Sequence, residues 1–410
     1  MKIRSVTCFI NPGFPLQEKK IARAGEAARG AVEAYWNEGY EVQTTRLATI
    51  PFPTLFAGLS TGELIAAAQH LESIALKEGF NYVALGPALI DHPESYTQIP
   101  QIIAETENVF CSAEMATGSQ GISLEAVKAC ARIIAQLAPQ DKKGFANLYF
   151  TALSNVPPGS PFFPAAYHHG EQPGFALALE AASLAVHAFE QADTLTDGLA
   201  MLLKLVEDHG QKLARIGEKI QKKSKIEFRG TDFSLAPFPS RDRSLGTAME
   251  LLGVPHVGQH GSLAAAAMLA STLDQADFYR VGFSGLLFPQ LEDSVLALRA
   301  EEGYLTVKDM LMYSAVCGTG LDTIPLPGDT SEVELSALLL DLAALGLRLD
   351  KPLTARLMPI PGKHAGEPTD FDFDFFANSN VMPLASAGLH SMLAGADRIK
   401  IRPLGGKGLD

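Results

Sequence analysis

Short apolar segments rich in β-formers alternate along most of this chain with longer segments of helical period, and this alternation constrains the fold more than any other feature. Residues 3–10, 40–46, 81–86, 109–115, 145–153 and 175–180 read as strands, and residues 17–38, 60–78, 123–137 and 195–222 as helices. Ser60 with Glu63 has the form of a capping box, and Gly39 and Gly79 stand where helices stop. From Ile226 the pattern restarts, with strands expected at 226–235, 279–288 and 354–359. Strands separated by helices of this length pair mostly in parallel, in a sheet covered on its faces. The expectation is two α/β halves, residues 1–225 and 226–410, packed together without a low-complexity linker. An open sheet and a closed barrel share this pattern.

At ~150 residues per domain, 410 residues allow two or three domains or one large α/β unit. Hydrophobic residues at 47% and charged residues at 19% supply a large core and exclude a disordered chain. A net charge of −13 argues against nucleic acid or an anionic membrane surface as a partner, but a local site can still hold a small anion. Cys8, Cys111, Cys130 and Cys317 are widely spaced, so neither a disulfide framework nor a cysteine zinc site is expected. Cys8 and Cys130 read as core cysteines. The stretch Met1 to Thr7 lacks the apolar core of a signal peptide, and no apolar run approaches ~18 residues, so a cytoplasmic protein is expected. General grounds favour a homo-oligomer.

Three polar junctions precede helices opened by serine: Thr117 to Ser123, Ser240 to Ser244 and Gly258 to Ser262. Free N–H groups there could hold a carboxylate or phosphate, but ordinary N-capping by Ser123, Ser244 and Ser262 explains each junction separately and is the favoured reading for any one of them. No G-x-G-x-x-G follows the first strand and no G-x-x-x-x-G-K-S/T occurs, so no nucleotide cofactor is indicated. In Thr231-Asp232-Phe233-Ser234, strand alternation puts Asp232 and Ser234 on one face, as a ligand site or an internally bonded pair. Cys317, flanked by Gly318 and Gly320 with Asp322 nearby, could be a nucleophile or a buried thiol. His256 and His260 have a metal-ligand spacing, but Pro255 and Gly258 oppose the helix it requires. His168 lies in a proline-rich loop that could reach a site. The alternating stretch from Asp370 to Phe376 reads as a half-exposed edge strand.

Four segments occur together in this order: Thr231 to Pro237, His260-Gly261-Ser262, Val281-Gly282-Phe283-Ser284-Gly285, and Val316 to Asp322. On them the chain resembles the domain-of-unknown-function family 711, also called uncharacterised protein family 0210, over nearly its whole length. The resemblance implies a pyruvate formate-lyase-like ten-stranded α/β barrel, two five-stranded halves around an inserted loop, with Cys317 on a central Cys-Gly loop. It implies no established activity, and an association with a small ACT-domain protein. The C-terminal stretch Arg402-Pro403-Leu404-Gly405 lacks a glycyl-radical motif, so radical chemistry is rejected. Glu114 and Arg243 depart from the family pattern and suggest a different ligand. The reading is an enzyme, a lyase or hydrolase, acting on a small carboxylate-bearing metabolite. Asp232, His260, Cys317 and Asp322 would be catalytic, and Glu114, His168, Ser234, Arg243, Ser244 and Ser262 would bind ligand, with a divalent metal as a further option. The alternative is a non-catalytic small-molecule binder or regulator working with the ACT-domain partner.

Overall fold

The computed structural model describes residues 1–316 and 319–405. Its strands are β1 (Lys2–Ile10), β2 (Val42–Pro51), β3 (Tyr82–Gly86), β4 (Val109–Thr117), β5 (Gly121–Ser123), β6 (Phe150–Ser154), β7 (Gly174–Glu180), β8 (Glu227–Asp232), β9 (Gly320–Pro327), β10 (Leu353–Ile360) and β11 (Arg398–Ile399). The main sheet runs β8-β7-β1-β2-β3-β4-β6-β10-β9, with β5 and β11 paired off the edge of β4. The architecture is thus a mixed α/β fold on one large, mostly parallel sheet. Strands β1, β2, β3, β4 and β6 pair in parallel, as do β7 with β8 and β9 with β10. The antiparallel joins along this path are β1 with β7 and β6 with β10. Residues 279–290 form isolated parallel bridges to both outer strands and their continuations: Arg280 to Thr231, Leu286 to Leu235, and Pro289 to Asp322.

Period-two alternation sorts the side chains onto two faces. From β1, Val6, Cys8 and Ile10 enter the large core shared with the helices, while Phe9 enters a separate cluster on the other face. The helix Glu18–Asn37 buries Ile21, Ala24, Ala28, Ala31 and Tyr35, a stripe at the spacing of helical turns. Ser60 and Glu63 do form the capping box of the helix Thr61–Lys77. On the far face, the small side chains Ala48, Ala84 and Ala176 leave room for the loop between β6 and β7, whose Phe163 and Ala166 pack against them. Residues 159–168 of this proline-rich loop, including Ser160 and His168, are therefore buried.

Several expected elements differ. Residues 279–288 are not a continuous strand, because Gly282 and Ser284 take left-handed backbone angles, φ +68° and +43°, that interrupt a ladder. Residues 145–149 form a 3₁₀ turn before β6. β9 went unrecognised in the sequence because Gly320, Pro325 and Pro327 mask its strand signal. The edge strand expected from Asp370 to Phe376 is a loop. Phe371 and Phe376 are drawn into a cluster with Leu291, Met358 and Ile360. The Asn378 side chain satisfies both backbone groups of Phe371, accepting from its N–H at 2.7 Å and donating to its carbonyl at 3.0 Å, so no ladder is needed.

Candidate functional site

A cavity of about 180 Å³ lies on the sheet face that carries the buried loop. Arg4, Arg46, Tyr82, Phe110 and Thr151 line it, one from each of β1, β2, β3, β4 and β6, five neighbours in the sheet. Asp322 of β9, Arg356 of β10, Glu292 and the loop residue Phe163 line it as well. Arg356 bridges two carboxylates, donating from Nη2 to Glu292 at 2.8 Å and from Nε to Asp322 at 2.5 Å. Arg4 also pairs with Glu292. Burial pushes the Glu292 carboxyl upward, but the Arg4 and Arg356 guanidinia outweigh it and hold the group below its usual range. Asp322 goes the other way: burial, with the Glu292 charge beside it, raises its carboxyl against the pull of Arg356.

Arg46 is placed differently. Its Nε donates to Thr44 Oγ1 at 2.9 Å, and its guanidinium lies 5.1 Å from the Phe163 ring centroid and 5.8 Å from that of Tyr82. Among the described residues no carboxylate pairs with it. Burial, and next the neighbouring Arg4, push its pKa down to about 9. Thr151 Oγ1, buried in the same wall, has no hydrogen-bond partner.

The residues singled out from sequence are dispersed. Asp322 lines the cavity. Asp232 and Ser234 meet each other, as their shared face requires: Ser234 Oγ donates to Asp232 Oδ1 at 2.6 Å. Asp232 further accepts from the N–H groups of Phe283 at 2.7 Å and Ser284 at 2.8 Å, so it pins the turn that presents Phe283 to the cavity. Burial pushes this carboxyl up to about 6. Ser244 caps the helix Leu245–Leu251 and donates to Asp293 at 2.6 Å. Ser262 is buried at the start of the helix Ser262–Gln275, whose N-cap is Gly261, and accepts from Gly258 N at 3.0 Å. Arg243 lies 3.7 Å over the Phe238 ring and 3.3 Å from Glu180. His168 is buried beside Arg229, and burial first, then that guanidinium, lower its pKa to about 4. Glu114 is half-buried, its carboxyl raised by burial to about 7. His260 is exposed, away from the cavity lining. Cys317 lies outside the described residues. No group of three or more metal-ligating side chains occurs among the described residues.

The family model described as "Uncharacterised ACR (DUF711)" matches residues 1–378. The chain belongs to this family. Relatives named UPF0210 protein include one from Methanosarcina acetivorans, 26% identical over 94% of this chain and 86% of the relative. Another, from Pyrobaculum arsenaticum, is 30% identical over 80% of this chain and 76% of its own. A third, from Pelotomaculum thermopropionicum, is 29% identical over 89% and 84%. In this DUF711 protein the whole cavity lining, from Arg4 to Phe375, falls inside the family match.

Sequence reasoning missed Arg4, Arg46, Arg356 and Glu292. The signal available was an arginine inside each of three otherwise largely apolar strands, where a charge is costly unless it faces a partner or a ligand.

Proposed function

We propose that this protein binds a small organic anion in the cavity and acts on it as an enzyme. The observation that carries this reading is Arg46, a partly buried guanidinium in a cavity wall with no carboxylate partner among the described residues. An unpaired cation in an aromatic setting is costly to leave empty and favourable to fill with a carboxylate. Asp322 and Glu292, two buried carboxylates whose environments move their pKa values apart, supply the chemistry. Glu292 stays ionised between two arginines, and Asp322 is the group that takes up and returns a proton.

The architecture proposed with this function is a pyruvate formate-lyase-like barrel without glycyl-radical chemistry. The bridges made by residues 279–290 support closure of the sheet, since they reach β8 with its continuation on one side and β9 on the other. The halves would be β1–β4 with β6, and β7–β10 with the 279–290 segment, parallel within and antiparallel between; this puts β7 with the second half, ahead of the boundary at residue 225 expected from the sequence. The cavity draws residues from both.

A thermal-shift titration tests the function, using sodium benzoate, acetate and phosphate against a chloride control at constant ionic strength. At least one of these anions should raise the melting temperature of the native chain and leave Arg46→Gln unmoved. An equal response in both proteins, or none in either, sinks the reading.

A further inference from the structure

Resting on that reading, we infer that the ligand is a monocarboxylate with an aromatic or bulky apolar body, and that Phe373 and Phe375 select for that body.

The charge balance of the cavity sets the first half of the inference. Among the described residues, its charged lining consists of Arg4, Arg46 and Arg356 against Glu292 and Asp322. Glu292 and Asp322 are taken up by Arg4 and Arg356, which leaves one positive charge, on Arg46. A monoanion neutralises it. A dianion would bring a second negative charge beside two buried carboxylates, where poor screening makes repulsion expensive. The chain adds a further bias outside. Asp372 and Asp374 stand exposed on the same loop that carries Phe373 and Phe375 and add negative charge beside those rings, whereas Asp370 is offset by Lys143 and Lys363.

The rest of the lining sets the second half. Among the described residues seven aromatic rings line the cavity, which is far more than one carboxylate head needs and leaves apolar surface for a ligand body to cover. Two of them, Tyr82 and Phe163, flank Arg46, so a carboxylate held there places its attached carbon against ring faces. Phe110 extends the same wall, edge-on to Tyr82 at 5.3 Å and to Phe163 at 5.5 Å. Phe373 and Phe375 come from the irregular loop instead of a strand. Phe373 is anchored edge-to-face on Phe145 at 5.1 Å, and Phe375 rests on Phe238 at 5.7 Å while remaining 38% exposed. These two rings therefore meet both the cavity and solvent, the position from which a side chain can close over a bound apolar group.

The experiment is isothermal titration calorimetry of the full chain at pH 7.5 and fixed ionic strength with 3-phenylpropionate, acetate, succinate and inorganic phosphate. It is run on the native protein, Arg46→Gln, Arg46→Lys and the double variant Phe373→Ala/Phe375→Ala. We expect 3-phenylpropionate to bind at least about tenfold more tightly than acetate or succinate. The double alanine variant should lose about tenfold for 3-phenylpropionate and leave acetate nearly unchanged. Arg46→Gln should lose both ligands, and Arg46→Lys should keep part of the affinity, which separates loss of charge from loss of fold. Succinate or phosphate binding most tightly in an Arg46-dependent way overturns the ligand class and leaves the anion site standing. A double variant that binds 3-phenylpropionate as well as the native chain overturns the role of the two phenylalanines. Absence of binding by all four anions overturns the underlying reading together with the inference.

Discussion

Asp232 is fully buried, its carboxyl pushed by burial from its ordinary 3.8 to about 6 although Ser234 and the N–H groups of Phe283 and Ser284 bond to it. The native state therefore keeps a proton on Asp232 over a pH range in which the unfolded chain has already released it. Where the native state binds more protons, stability falls as pH rises. The contribution is fully present below the unfolded value and lost as pH rises through the native one. Its full size is about 3 kcal/mol. Within the range accessible to a folded protein, from about pH 4.5 to about pH 7, about 2 kcal/mol of it should disappear. Asp232→Asn keeps the shape and removes the titration. Urea unfolding of both proteins across this range isolates the effect, because every other titrating group, Glu114 included, cancels in the difference. The stability of the native chain relative to the variant should decline by about 2 kcal/mol over the window. A difference that is flat with pH, or that grows, refutes the assignment of a buried, proton-retaining carboxyl at this position.

Other consequences concern the same framework. Asp293 accepts from Ser244 Oγ and from the N–H groups of Leu245, Gly246, Val295 and Leu296, and so caps two helices at once. Asp293→Ala should cost about 2–4 kcal/mol in chemical denaturation, above an ordinary single cap. Arg356→Met leaves Asp322 buried without its guanidinium, and should destabilise by about 3–5 kcal/mol at neutral pH, with a smaller loss as the pH is lowered, because the raised Asp322 carboxyl can then take a proton. Cys8, Cys111 and Cys130 are buried and their thiols are pushed up, Cys8 to about 12. Peptide mapping after iodoacetamide treatment at pH 8 should find these three unmodified in the native protein and alkylated in urea; native-state labelling at any of them contradicts their burial.

The alternation of periods two and 3.6 determined that this chain forms strands and helices in turn, and local chemistry determined several of their ends. Ser60 with Glu63 caps its helix as the spacing requires, and Asp232 meets Ser234 because both occupy one face of a strand. These features are legible because the interacting groups lie within four residues of each other. The cavity is not of that kind. Arg4 and Glu292 meet across a separation of 288 residues, and Arg356 reaches Asp322 and Glu292 from different elements. Each arginine, taken alone in its strand, reads as an interruption of an apolar run. His260 and Ser244 illustrate the converse: a polar residue at a helix-opening loop reads as a ligand contact or a cap, and the fold leaves the first exposed and uses the second as the cap that its position allowed. Pairing order and burial decide which polar side chains share a cavity. They follow from packing the whole sheet, because the cost of a buried charge depends on the partners that tertiary structure brings to it.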